Sequence, residues 1–304
     1  MVISESGKQI FDISTFTFPR VQMFPPIDVP DKVKFDDDDD DNEYGEEYQE
    51  EEEEEKYKDE EVMDDDELHR DPRHYNVYVS MYGEDSNTDS DVIGTNLSKS
   101  ERERLNLGTE FVYGEVTYRT MSRILSHVLK RKIKKHGTFV DFGSGTGKPL
   151  LSAALLRPYY FTSCVGVEYM ESLHKNACAI VDTHYNPRII PILERMYPDL
   201  KMPSIYLERA DFTESWSDRL KSAVSNASVL FTHSTMFDTK MLLCLARHTQ
   251  ALAREDVVFV TLSHELPSFE ASRWKVVDEL FLDMSWGGCV VYVHRLSSSP
   301  VTSP

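Results

Sequence analysis

Residues 139–149 read Phe-Val-Asp-Phe-Gly-Ser-Gly-Thr-Gly-Lys-Pro. Glycines at 143, 145 and 147 leave a stretch of backbone with no Cβ at alternate positions, so a ligand can approach the main chain closely. A phosphate loop of the GxxxxGK type needs a first glycine where Phe142 stands and a Ser or Thr hydroxyl where Pro149 stands, so that chemistry is excluded. A dinucleotide loop needs GxGxxG, with its third glycine packing a helix on the strand, whereas this loop is GxGxG. Asp141 sits beside it, and an acid suits a ligand with an amino group or a cationic centre better than a pyrophosphate.

Two further acids stand at corresponding places. Glu168 follows the apolar run 163–167, 25 residues after Gly143, and Asp211 precedes Phe212 after the run 205–210. In a sheet whose strands end at one crevice, Glu168 would meet ribose hydroxyls, Asp211 an adenine amino group, and Phe212 the face of the base. Singly, each is explained by a tight turn or a solvated cap; together they point to S-adenosylmethionine, a sulfonium nucleoside carrying an ammonium and no phosphate. No residue cluster has metal-ligand spacing.

Positioning these residues takes alternating strands and helices. Strands are expected at 138–142, 163–168, 205–211, 228–233 and 257–263, and helices at 148–157, 171–184, 215–223 and 238–252. A looser Pro-bounded insert, PRIIPILERMYPDLKMP, follows the second of these helices. Upstream, Met121, Ile124, Leu125, Val128 and Leu129 recur at helical spacing, and downstream two apolar runs flank Gly287-Gly288. The pattern predicts an α/β fold: a parallel sheet with helices on both faces, closed by a C-terminal antiparallel hairpin.

The chain has 304 residues and a net charge of −20, but the charge is local. Of 53 acidic residues 22 fall between Asp36 and Glu67 against two lysines, and elsewhere acids and bases balance. Such a run is expected to be disordered. The reading divides the chain into an N-terminal segment, 1–75, containing the acidic run 36–67; a connector, 76–110, with a short helix over SERERLNL; an ordered domain from Phe111 to 296; and a disordered tail, 297–304. Cys164, Cys178, Cys244 and Cys289 are too dispersed for a zinc site and read as core thiols of an intracellular protein. No secretory leader and no long apolar span is present, which argues against a membrane role.

The blocks VYGEVTYRTMSRIL, VDFGSGTGKPLL, GVEYMESLHKNA, YLERADFTESWSDRL, ASVLFTH and MSWGGCVVYVHRL follow one another in the order and spacing of the disruptor-of-telomeric-silencing (Dot-one) histone lysine methyltransferases. The resemblance covers about 111–295. It implies a seven-stranded, Rossmann-like class I methyltransferase sheet and a lysine of the folded core of histone H3, in nucleosomes and hence in the nucleus, as substrate. By position it assigns cofactor contacts to Tyr113, Gly114, Glu115 and Val116, with Tyr113 to Glu115 as a flap over the methionine end. It assigns others to Phe139, Val140, Asp141, Phe142, Gly143, Ser144, Gly145, Thr146, Gly147 and Lys148, and to Glu168, Asp211 and Phe212. Lys148 is expected at the loop edge, near the methionine end or solvent. A second YGE, at Tyr82 to Glu84, lacks the following helical pattern and reads as coincidence.

One departure bears on catalysis. His233 and Ser234 stand where the family carries two asparagines, and either line the lysine channel or mark a dead site. A target lysine with its ordinary pKa near 10.4 must lose a proton before it attacks, a handicap of about 4 to 5 kcal/mol at neutral pH. An apolar channel and the adjacent sulfonium both lower that pKa, so aromatic walls serve better than a strong base. The candidates are Phe231, Phe237, Trp286 and Tyr292. Lys130 to Lys135 form the one dense basic cluster, a candidate DNA contact, and the acidic run is a candidate histone contact. Methyl transfer to RNA or a small molecule, and a catalytically silent histone-binding scaffold, stay open.

Overall fold

The computed structural model describes residues 2–3, 9–10, 72–82, 88–108, 113–131, 133–284 and 287–297. The acidic run 36–67, Phe111, Trp286 and residues 298–304 lie outside the described residues. Two compact units are distinguished, 1–58 and 59–304. In the first, β1 (Val2–Ile3) and β2 (Gln9–Ile10) pair antiparallel.

The second unit is built on a seven-stranded sheet. Its strands are β3 (Gly137–Phe142), β4 (Phe161–Glu168), β5 (Ser204–Arg209), β6 (Ala227–Thr232), β7 (Val258–Leu262), β8 (Trp274–Met284) and β9 (Gly287–Leu296), in the spatial order β5-β4-β3-β6-β7-β9-β8. The first five run parallel, and the β8–β9 hairpin closes the sheet antiparallel to β7. This is the predicted seven-stranded α/β architecture. Every residue of β3, β6 and β7 is buried, as continuous apolar runs covered on both faces require. Chain order reverses direction about β3, which has β4 on one side and β6 on the other, so the crevice for a ligand lies at the carboxyl ends of these strands.

The helices are α1 (Pro72–Tyr82), α2 (Thr88–Leu105), α3 (Tyr118–Leu129), α4 (Lys148–Leu156), α5 (Glu171–Ile180), α6 (Ile190–Met196), α7 (Asp218–Ser225) and α8 (Thr239–Leu252). Thr117 caps α3, its hydroxyl accepting from the Thr120 amide at 3.0 Å, and the predicted stripe of Met121, Ile124, Leu125 and Val128 is buried. Among the described residues no helix is long and apolar enough to cross a membrane.

Three expectations are corrected. Order does not begin at Phe111: α1 and α2 precede it, and His74, Tyr78 and Tyr82 are buried. The weak apolar stripe of these helices hides them, since α1 packs through tyrosines, Tyr78 lying 4.6 Å from Tyr118 between ring centroids. The short helix over SERERLNL is the end of the 18-residue α2. Nor does Pro187 break the chain into a loose insert, for α5 runs through a nine-residue π-helical stretch, Val181–Ile189, into α6. The wider turn makes room for the proline ring, and Tyr185, fully buried within it, donates to the Pro203 carbonyl at 2.8 Å.

His294 on β9 bridges two elements. Its Nδ1 donates to the Phe259 carbonyl at 3.1 Å, and its Nε2 accepts from the Leu266 amide at 3.1 Å, a pair of bonds that only the neutral ring satisfies. Burial lowers its pKa to about 4 from the ordinary 6.5. Between those values the unfolded chain binds a proton that the folded chain refuses, so the contribution is complete above about pH 6.5 and is lost as pH falls towards 4. Urea midpoints are expected to fall from pH 7 to pH 5, and to fall less in His294→Asn, when unfolding is followed by circular dichroism.

Candidate active site

The cleft begins with the turn after β3. Gly143, Gly145 and Gly147 have φ of 80°, 55° and 86°, left-handed values that side-chain-bearing residues rarely adopt. The amides of Gly143 and Ser144 both donate to the Val167 carbonyl, at 2.9 and 3.0 Å, which lashes the turn to the end of β4. Gly147 then caps α4, with Pro149 in its first turn.

Around this turn lies an open cleft of about 260 Å³. Of the predicted residues, Tyr113, Gly114, Glu115, Val116, Gly143, Ser144, Gly145, Lys148, Glu168, Asp211, Phe212, His233 and Phe237 line it. Glu168 accepts from the Gly145 amide at 2.8 Å and from the Met170 amide at 2.7 Å. Burial pushes its pKa up, while those amides pull it down. Asp211 accepts from the amide and hydroxyl of Thr213 at 2.8 and 2.6 Å. Phe212 and Phe237 face each other at 5.3 Å, and a Cβ on Gly143 would lie 2.9 Å from the Phe237 ring.

Other predicted residues stand behind the lining. Phe139, Val140 and Phe142 fill the sheet interior on alternate faces. Thr146 and Gly147 shape the turn. Asp141 is fully buried, and neither carboxylate oxygen has a hydrogen-bond partner among the described residues. Burial, then the charge of Glu168, holds its pKa well above the carboxylate range.

The candidate catalytic residues separate. His233 lines the cleft, but its Nδ1 donates to the Gly114 carbonyl at 3.0 Å, tying the end of β6 to the Tyr113–Glu115 segment. Burial takes its pKa to about 4, so it is neutral at physiological pH and is not a strong base. Ser234 does not face the cleft, since its hydroxyl donates to the Leu262 carbonyl at 2.7 Å and accepts from the Leu262 amide at 3.1 Å. Phe231 is not a channel wall either: fully buried, it stacks on Phe139 at 6.0 Å in the core. Tyr292, half-buried on β9 opposite Thr261, is not part of the lining, and Trp286 lies outside the described residues.

Of the two places expected for Lys148, near the methionine end or solvent, the second is not the one it takes: it lines the cleft beside Glu115. It is buried, forms an ion pair with Glu115, and its Nζ lies 5.5 Å from the centroid of the Tyr82 ring. Tyr82, the first residue of the second YGE, also donates to the Thr146 carbonyl at 3.0 Å, while Gly83 and Glu84 lie outside the described residues. Tyr113 donates to Glu115 and approaches the Thr146 hydroxyl at 2.8 Å. Tyr169, Met170 and Leu173, just past β4, and Asp238, Lys240 and Met241, at the start of α8, complete the cleft. Their signal was position, immediately after a strand end, rather than residue type. Among the described residues no group of acids, histidines and cysteines could hold a metal.

The profile of the family described as Histone methylation protein DOT1 matches residues 97–296. The chain belongs to this family. Among DOT1-type relatives, a histone-lysine N-methyltransferase, H3 lysine-79 specific, of Chaetomium globosum is 31% identical over 134 residues, covering 44% of this chain and 23% of that protein. The aligned part thus spans about a quarter of the relative's length. Solved structures to which this chain shows similarity include TrmN from Thermus thermophilus, at 13% identity and a TM-score of 0.43 over 66% of this chain and 53% of that one. The rRNA methyltransferase aviRa from Streptomyces viridochromogenes is 14% identical at a TM-score of 0.43, over 64% and 92%.

Breaking the buried pair from one side leaves an uncompensated charge, at a cost of about 3–5 kcal/mol. Lys148→Met and Glu115→Leu are each expected to lose stability of that order, and the double variant much less than their sum, in a double-mutant cycle read by chemical denaturation.

Proposed function

We propose that the protein is an S-adenosylmethionine-dependent histone-lysine N-methyltransferase acting on a lysine of the globular core of histone H3 in nucleosomes, with a nuclear role in chromatin regulation. The observation that carries this reading is the family match together with a cleft whose acids and glycines suit the cofactor. Glu168, already oriented by two backbone amides, keeps lone pairs for ribose hydroxyls. Phe212 and Phe237 offer faces for the adenine, and Asp211 an acceptor at its edge. Ser144 and Gly145 bring main chain to the methionine.

Bound there, the cofactor supplies an electrophilic methyl group on its sulfonium. The chain's own part is to hold it, to exclude water and to keep the incoming amine neutral. His233, neutral and committed to Gly114, would fix the flap rather than take the proton. Residues 97–296, the span of the family match, form the catalytic domain in this reading. The acidic run 36–67 is a candidate contact for basic histone surface. Of the basic cluster, Lys130, Arg131, Lys134 and Lys135 precede β3 at the amino end of the sheet, about 20 Å from the cleft across six strand residues, so DNA contacted there would lie away from the reacting lysine; Lys132 lies outside the described residues. A second reading, a histone-binding protein that holds cofactor without turnover, draws on the same commitments of His233 and Ser234.

Nucleosomes incubated with the protein and cofactor are expected to gain methyl groups on the H3 core, located by mass spectrometry. Calorimetry is expected to show cofactor binding that weakens about ten-fold or more in Glu168→Ala. Binding without methylation of nucleosomes would favour the scaffold, and methylation of RNA alone would sink the histone reading.

A further inference from the structure

Three contacts join the helices α1 and α2 to three separate walls of the cleft. Tyr82, at the end of α1, donates to the Thr146 carbonyl in the glycine turn. Glu101 on α2, almost fully buried, accepts from the Glu171 amide at 3.0 Å and the Ser172 amide at 2.7 Å. It thereby caps α5 from another helix and holds the turn that carries Tyr169 and Met170 into the cleft.

The third contact is with Tyr113. A Cβ on Gly94, inside α2, would lie 2.1 Å from one edge of the Tyr113 ring, and a Cβ on Gly145 would lie 2.7 Å from the other. The ring is therefore wedged between two backbones at positions where neither has a side chain. Its hydroxyl is held at the same time by Glu115 and Thr146. Glycine within a helix is disfavoured relative to alanine. At position 94 the loss is offset by the space it leaves for the ring.

We infer that Gly94 and Glu101 are positioning residues for cofactor binding: α2 is the buttress that sets the Tyr113 flap and the Tyr169–Met170 wall at their working distances from the glycine turn. This rests on the cofactor reading of the cleft. It goes beyond it by giving the α1–α2 segment, which contributes only its neighbours to the lining, control over affinity for the sulfonium nucleoside.

The test uses the full chain, with S-adenosylmethionine titrated by calorimetry and Tm measured on the same samples. Alanine is the better helix former, which offsets part of the strain as its methyl group displaces the Tyr113 ring, so Gly94→Ala is expected to lower Tm only slightly. Gly94→Ala and Glu101→Ala are each expected to raise Kd about ten-fold or more without a matching fall in Tm. Glu101→Gln, which keeps one acceptor for the helix end, is expected to fall between Glu101→Ala and the parent. A Kd within about two-fold of the parent in either alanine variant, or a loss of affinity that tracks a fall in Tm, overturns the inference. Absence of binding by the parent protein overturns the cofactor reading, and the inference with it.

Discussion

Lys148 and Glu115 are buried together, and the cleft depends on that arrangement. Each charge would be costly to bury alone, so the helix that begins at Lys148 and the segment that carries Glu115 cannot part without exposing or stranding one of them. The pair thus joins the glycine turn to the flap. Tyr113, Thr146 and Tyr82 gather around it, and the phenol of Tyr113, whose pKa is held well above its ordinary value by burial and then by Glu115, stays a donor. The left-handed glycines bring the turn to this point, and the Val167 carbonyl fixes it there. What looks in projection like a list of separate contacts is one polar cluster between two layers of the fold.

Most of the parallel strands were legible because buried strands read as apolar runs, which places Glu168 at the end of β4, whereas the half-exposed edge strand β5 ends at Arg209, two residues before Asp211. The loop glycines were legible for a different reason, since only one residue type adopts their backbone. Helices α1 and α2 were not legible. They bury tyrosines, a histidine and a glutamate rather than an aliphatic stripe, and α2 contains a glycine that propensity counts against it. The π-helical stretch was missed because a proline inside a helix reads locally as an end. The roles of His233 and Ser234 were hidden in partners distant along the chain, Gly114 and Leu262, which no spacing rule reaches.

The two sides of the catalytic question meet in His233. A ring that donates to a backbone carbonyl and has its pKa taken to about 4 by burial is a poor proton acceptor and a good strut. The chemistry proposed for the cleft suits that. Removing charge from the incoming amine by desolvation asks for an apolar wall, which a neutral histidine and two phenylalanines can supply without a titrating base.

The open sheet has a cost that the hairpin addresses. Among the described residues its last strand, β8, pairs on one side only, and an edge of 11 residues could template addition of a strand from another molecule. Along that edge stand Lys275, Asp278, Glu279 and Asp283, and the pairing with β9 slips between Val276 and Asp278. Charges and a bulge are what discourage edge-to-edge association. Although Phe281 is 73% exposed on this strand, the sheet ends there as a boundary rather than as an invitation to polymerise.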